Sequence, residues 1–253
     1  MISNRRLRLA TLAGLLAVIG AATPTSAATP TFAAKPVFAA KPVSAASPAD
    51  EEPGKQRPLR VMPLGDSITY GIGSRTLDGY RSTLHRRLAA AGLNIDYVGS
   101  MRSGRGADPD NEGHQGWTIA ELTDHIDDWL DTYRPDVILL HIGTNDMVHH
   151  VPGAARHLDR LLDRIAAERP ETEVFVAEIV GIADFREVGT RMRRTVTYNA
   201  AVARIVARKG PRFHLVDQSR IQGLDMRNRD HPNDLGYRKM AANWYRAITA
   251  NVG

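Results

Sequence analysis

The chain has 253 residues, 43% hydrophobic and 24% charged, which are ordinary values for a globular protein. Its formal net charge is +5, but Arg5, Arg6 and Arg8 lie in an acid-free N-terminal stretch; without them the balance is +2, and no basic stripe with interleaved aromatics argues for a nucleic-acid partner. There is no cysteine, which excludes disulfides, a thiolate nucleophile and cysteine-ligated zinc.

Taken in chain order, the three arginines precede an apolar run at residues 9–19, and Thr25-Ser26-Ala27 supplies small residues for cleavage. This is the pattern of a secretory signal peptide over residues 1–27, with a run too short to span a bilayer comfortably. Residues 28–58 are rich in Ala, Pro, Lys and Ser, and the unit Ala-Ala-Lys-Pro-Val occurs at 33–37 and again at 39–43. Repeated prolines resist helix and supply no ladder donor, so a disordered or semi-extended linker is expected. Residues 59–253 are then expected to form one domain, and the mature protein is expected to be extracellular and monomeric.

From residue 59 onward, strand and helix patterns alternate. Residues 59–64 read as a strand, 80–91 as a helix closed by Gly92, and 95–98 as a second strand. Residues 118–133 form an amphipathic helix with Ile119, Leu122, Ile126, Trp129 and Leu130 on one face. Thr118 and Glu121 make a capping box at its start, and Pro135 follows its end. Residues 137–142 are a continuous apolar strand, as expected where both sheet faces are covered. Leu158, Leu161, Leu162 and Ile165 mark the next helix. Residues 174–180 read as a strand, 196–208 as a helix and 213–216 as a further strand. Tyr237, Met240, Ala241, Trp244 and Ile248 stripe the last helix. The pattern predicts an α/β fold with a central parallel sheet of about five strands and helices on both faces.

In such a sheet, sites gather at the carboxyl ends of strands. Three polar clusters fall there: Gly65-Asp66-Ser67, Gly143-Thr144-Asn145-Asp146 and Asp230-His231-Pro232-Asn233. A serine hydroxyl is a weak nucleophile and needs a base within hydrogen-bond reach, which His231 can provide for Ser67. The oxyanion of a tetrahedral intermediate needs preorganised donors, here the Ser67 N–H, a glycine N–H and the Asn145 amide. Asp66 reads as a buried hydrogen-bonding residue. Asp108, Asp110, Glu112 and Gly113 suggest a calcium loop, but its twelfth position is Ile119, so a solvated acidic loop is expected instead. His149 and His150 bring no partner set for a metal, and Gly71-Ile72-Gly73 lacks the third glycine of a dinucleotide fingerprint. No metal or cofactor is expected. Trp117 suits either a sugar-stacking platform or core packing.

The chain resembles the SGNH (GDSL-type) hydrolases, with Ser67, Gly116, Asn145 and His231 in four of that family's blocks. The resemblance implies a three-layer α/β/α sandwich of flavodoxin-like type, with Gly116 beside Ser67 and Asn145 in the oxyanion hole. Gly79-Tyr80-Arg81, Asp96-Tyr97-Val98-Gly99-Ser100, residues 112–118 and Pro135-Asp136-Val137 are similar to carbohydrate esterase family 3. That likeness implies secreted removal of acetyl groups from xylan. One position departs from the pattern: the family's triad acid lies three residues before the histidine, and Asn228 stands there. Three outcomes are open. Asn228 or a backbone carbonyl orients His231; Asp225 or Asp230 takes the role; or catalysis is poor. The alternatives in function are a lipase, lysophospholipase or peptidoglycan O-acetylesterase of the same fold, and a carbohydrate-binding protein with weak or lost catalysis.

Overall fold

The structure is a computed structural model and describes residues 57–181 and 189–252. The expected signal peptide and nearly all of the expected linker lie outside the described residues. In chain order the elements are β1 (Leu59–Gly65), α1 (Ser67–Tyr70), α2 (Arg81–Ala90), β2 (Ile95–Tyr97), β3 (Met101–Arg102), β4 (Asp110–Gly113), α3 (Ile119–Tyr133), β5 (Val137–His141), α4 (Thr144–His149), α5 (Ala154–Glu168), β6 (Glu173–Ala177), α6 (Thr190–Val206), β7 (Phe213–Val216) and α7 (Asp234–Asn251).

Five strands run parallel in the order β2-β1-β5-β6-β7. Side chains alternate across a strand, and the core follows that rule residue by residue. From β5, Val137 and Leu139 face one layer and Ile138 and Leu140 the other. From β6, Phe175 joins the first and Val174 and Val176 the second. The first layer is closed by α2 and α7 through Leu84, Leu88, Met240 and Trp244. The second is closed by α3, α5 and α6 through Leu122, Ile126, Leu161, Leu162 and Val202. Burial on both faces is why β5 reads as an unbroken apolar run. This is the expected three-layer α/β/α sandwich.

The sheet also has two short strands that the sequence pattern did not separate. β4 pairs in parallel with the end of β1, Leu64 opposite Glu112 and Gly65 opposite Gly113, and β3 pairs antiparallel with β4. The expectation of a solvated acidic loop at Asp108–Gly113 is therefore corrected. Asn111 and Glu112 are fully buried. The Glu112 carboxylate accepts from the Ser100 N–H and Oγ, each at 2.6 Å, and lies 2.5 Å from His114 Nε2. These bonds compensate the cost of burying a charge. The inward residues of β4 are polar, so an apolar period-two signal is absent. At other ends the differences are smaller: β6 stops at Ala177, and α6 begins at Thr190, ahead of the expected 196, since its largely polar first turns give the sequence no apolar stripe.

Arg81 fixes the loops at the carboxyl end of β1. It is almost fully buried at the start of α2. Its guanidinium donates to the carbonyls of Thr69, Tyr70, Leu77, Ser103 and Pro109 and to Ser103 Oγ, at 2.7–3.2 Å. One side chain thus ties α1 to the loops flanking β3 and β4. Arg81→Met keeps much of the side-chain volume and takes the guanidinium donor from the Thr69, Leu77 and Ser103 carbonyls, each at a cost of about 1–3 kcal/mol, whereas the Tyr70 and Pro109 carbonyls keep the Ser103 hydroxyl and the Asn111 amide as donors. The variant is expected to lose at least about 3 kcal/mol in urea unfolding; a loss below about 1 kcal/mol would show that water replaces the guanidinium.

Candidate active site

The ends of β1, β4 and β5 lie side by side, with Gly65 opposite both Gly113 and His141. The loops leaving these strands carry Ser67, Gly116 and Asn145, so the parallel register delivers all three to one rim. Gly65 has to be glycine for this arrangement: a Cβ there would sit 2.2 Å from the His141 carbonyl oxygen and 2.6 Å from Thr69 Oγ1. Asp66 caps α1, its Oδ1 accepting the Ile68 N–H at 2.9 Å. Ser67 is the first residue of that helix, where the N–H has no partner within the helix itself.

His231 comes from the loop between β7 and α7. Its Nε2 lies 2.8 Å from Ser67 Oγ, across 164 residues of sequence. Its Nδ1 lies 3.1 Å from Asn228 Oδ1. The same Oδ1 accepts the backbone N–H groups of Asp230 at 3.0 Å and His231 at 2.9 Å. Two backbone donors fix the amide with its oxygen toward the ring, so Nδ1 carries the proton and Nε2 presents its lone pair to the serine. Neither other carboxylate takes the orienting role. Asp225 is buried against Lys239 Nζ, with both oxygens at 2.7 Å. Asp230 turns away to pair with Arg191. Asn228 is thus the side chain that meets the imidazole at Nδ1.

Asn145 follows Gly143, whose φ of 118° starts α4 from the left-handed region. The Asn145 amide donates one N–H to the Trp117 carbonyl at 2.8 Å, which leaves its second N–H unspent in that bond. Asp146 Oδ2 accepts the Ile119 N–H at 3.1 Å, so α4 holds the junction between Trp117 and α3 on both sides of Thr118. Gly116 is exposed in that turn with φ of 80°, and a side chain there would meet no other atom. Trp117 is half-buried against the α3 layer, its ring 4.1 Å from that of His114. Sequence reasoning included His114 in the 112–118 likeness but gave it no role of its own, since its stacking with Trp117 and Trp129 and its bond to Glu112 depend on the unrecognised β4.

A family model described as the GDSL-like lipase/acylhydrolase family matches residues 64–239. The chain belongs to that family. It is similar to a solved family 3 carbohydrate esterase of Clostridium thermocellum, with 36% identity and a TM-score of 0.68 over 77% of this chain and 96% of that one. It is also similar to a carbohydrate esterase family 3 structure from Talaromyces cellulolyticus, with 26% identity and a TM-score of 0.64 over 76% of this chain and 97% of that one. A multidomain esterase of Ruminococcus flavefaciens is 29% identical over 219 residues, 75% of this chain. The chain spans 28% of that relative's length.

Within this GDSL-like site the electrostatics favour a neutral imidazole. Burial holds the His231 pKa below its ordinary 6.5, partly opposed by the charge on Asp230. A depressed pKa keeps the ring unprotonated at pH 7, as a general base must be. Asp66, fully buried, is pushed up to about 7 by desolvation, with the carboxylates of Asp146 and Asp230 adding to the rise. Nitrogen-detected NMR of His231 should show the Nδ1–H tautomer at pH 7 and a titration midpoint below 6.5. A midpoint above 6.5 would contradict this account of the ring's environment.

Proposed function

We propose that this chain is a secreted serine esterase that removes acetyl groups from carbohydrate, with acetylated xylan as the expected polymer. The observation that carries the proposal is the chain of contacts from Ser67 Oγ through His231 to Asn228 Oδ1. It stands on a fold 36% identical to a family 3 carbohydrate esterase. Secretion rests on the arginine-led apolar leader at residues 1–27. Among the described residues no helix is long and apolar enough to cross a membrane.

In the proposed reaction, Ser67 Oγ attacks the acetyl carbonyl carbon and its proton passes to His231 Nε2. The carbonyl oxygen becomes an oxyanion, met by the Ser67 N–H, the Gly116 N–H and the free proton of the Asn145 amide. Collapse breaks the bond to the sugar oxygen, which takes the proton from Nε2 and leaves as a hydroxyl. Water then attacks the acetyl-serine, gives a proton to Nε2, and acetate departs as the proton returns to Ser67. Asn228 keeps the imidazole in the tautomer that both half-reactions need.

Purified protein is expected to release acetate from acetylated xylan, and Ser67→Ala to release none. Equal release by both proteins would remove Ser67 from the reaction. Asn145→Ala should lower kcat by about 10²–10³ with an unchanged fold, the usual loss for one oxyanion donor; full activity would take Asn145 out of that role. On chromogenic esters, turnover should fall as the acyl chain lengthens from acetyl. A preference for long chains would favour a lipase reading instead.

A further inference from the structure

In the proposed reaction the sugar oxygen takes its proton from His231 Nε2. The leaving sugar therefore lies on the His231 side of Ser67, and the acetyl oxygen on the Asn145 side. A cavity of about 490 Å³ opens beside the loop that carries His231, a volume within the usual range of small-molecule sites. Gly73, Ser74 and Arg75, in the turn after α1, form one wall; the loop of His231 and the start of α7 form the other. The first wall packs directly on the base. Gly73 has φ of 101°, and a Cβ there would lie 2.3 Å from the Pro232 carbonyl oxygen and 2.9 Å from the His231 Cβ.

Most polar side chains of these walls are already engaged. Ser74 Oγ donates to the Gly71 carbonyl at 3.0 Å and accepts the Gly79 N–H at 3.2 Å. Asn233 caps α7, its Oδ1 accepting the Leu235 and Gly236 N–H groups, and its Nδ2 donates to the Leu224 carbonyl. Asp234 accepts the Arg75 N–H at 3.1 Å and Nε at 2.6 Å, so the charges of that pair cancel. Asn228 Oδ1 holds the His231 ring and two backbone N–H groups. Two groups remain. Among the described residues, the Asn228 Nδ2 amino group and the exposed Arg227 guanidinium make no hydrogen bond or ion pair. Both are donors and neither can accept.

The carboxylates nearest in sequence do not neutralise Arg227. Asp225 is held by Lys239, with both oxygens 2.7 Å from Nζ, and Asp230 pairs with Arg191. The cavity wall thus keeps the Arg227 charge uncompensated, together with a neutral amide donor beside it. A ligand group that suits such a wall accepts hydrogen bonds and carries negative charge. A carboxylate does both, and the planar guanidinium fork matches its two oxygens.

We propose that this cavity is a subsite for the carboxylate of a uronic acid residue, so that the substrate is an acetylated polysaccharide carrying acidic sugars. Arg227 takes the carboxylate, and Asn228 Nδ2 donates to the same sugar while its Oδ1 keeps the imidazole in place. The two ends of one amide thus serve the base and the substrate. A carboxylate at position 228 has no donor to offer and would repel a uronate. The choice of sugar rests on the esterase reading, but binding of the acidic group can be measured without turnover.

The test titrates the full chain with methyl glucuronoside, methyl glucoside and glucose 6-phosphate, none of which has an ester to cleave, and follows the Asn228 side-chain amide by NMR. At low salt the glucuronoside should bind at least about fivefold more tightly than the glucoside, the upper end for one exposed ion pair. Arg227→Gln removes the charge at an exposed position and keeps the backbone bond from residue 227 to the His231 carbonyl. It should bring the two sugars within about twofold of each other. The ratio of kcat/KM for an acetylated glucuronoside over the matching acetylated glucoside should fall in the same variant. Equal affinities in the parent, a preference that survives Arg227→Gln, or binding of the phosphate alone overturns the proposal. If the parent hydrolyses no ester but binds the glucuronoside through Arg227, the esterase reading fails and the subsite stands. If it hydrolyses acetyl esters with no preference for the acidic sugar, the subsite fails and the esterase reading stands.

Discussion

Buried in the loops beside the candidate site, the Arg81 guanidinium donates to carbonyls from three separate stretches of chain. Backbone carbonyls at depth need partners, and the short α1 and the β3–β4 ribbon have few ladder bonds of their own to offer. One long side chain from α2 satisfies them together. The turn that carries Ser67 can thus stay tight, with Gly65 pressed on the His141 carbonyl and Ser67 held 2.8 Å from His231. On the far side, Tyr237 of α7 donates to the Ile72 carbonyl at 2.6 Å, so the helix that follows His231 is also tied to the turn that follows Ser67. The separation of 164 residues is bridged by the rigid sheet and by these few polar anchors.

Much of this was legible in the sequence. The alternation of elements, the unbroken β5 run and the Thr118 helix follow from periodicities that burial imposes, and the polar clusters after β1, β5 and β7 follow from the geometry of parallel strands. Ser67 Oγ lies 2.8 Å from His231 Nε2, and Asn228 Oδ1 lies 3.1 Å from Nδ1, which is one of the three arrangements the sequence left open. What escaped notice shares one physical character. β4 buries Asn111 and Glu112, whose bonding partners lie in distant segments. Arg81 enters the sequence reading only within the Gly79-Tyr80-Arg81 likeness and Arg191 not at all, because their acceptors lie in distant segments. Polar residues that are satisfied by tertiary partners leave no local period, so single-sequence reasoning assigns them to solvent.

Asn228 alters the balance of the site without altering its shape. The amide oxygen collects three N–H donors and keeps the ring in the tautomer that a carboxylate would select. Desolvation then holds His231 below its ordinary pKa, which favours a free base at neutral pH and disfavours the protonated ring that must follow. A site of this kind presents the imidazole as a free base at neutral pH. The chain is similar to family 3 carbohydrate esterases, and in its own site a neutral amide, Asn228, meets the imidazole at Nδ1.

The central claim is that Ser67 is a nucleophile activated by His231. Its most direct test is covalent labelling with a fluorophosphonate, followed by peptide mass mapping of the parent and of His231→Ala. The account predicts one adduct per chain, on the peptide containing Ser67, forming rapidly in the parent and at least about 10²-fold more slowly without the base. Labelling at another residue, or a Ser67 adduct whose rate is indifferent to His231, would contradict it.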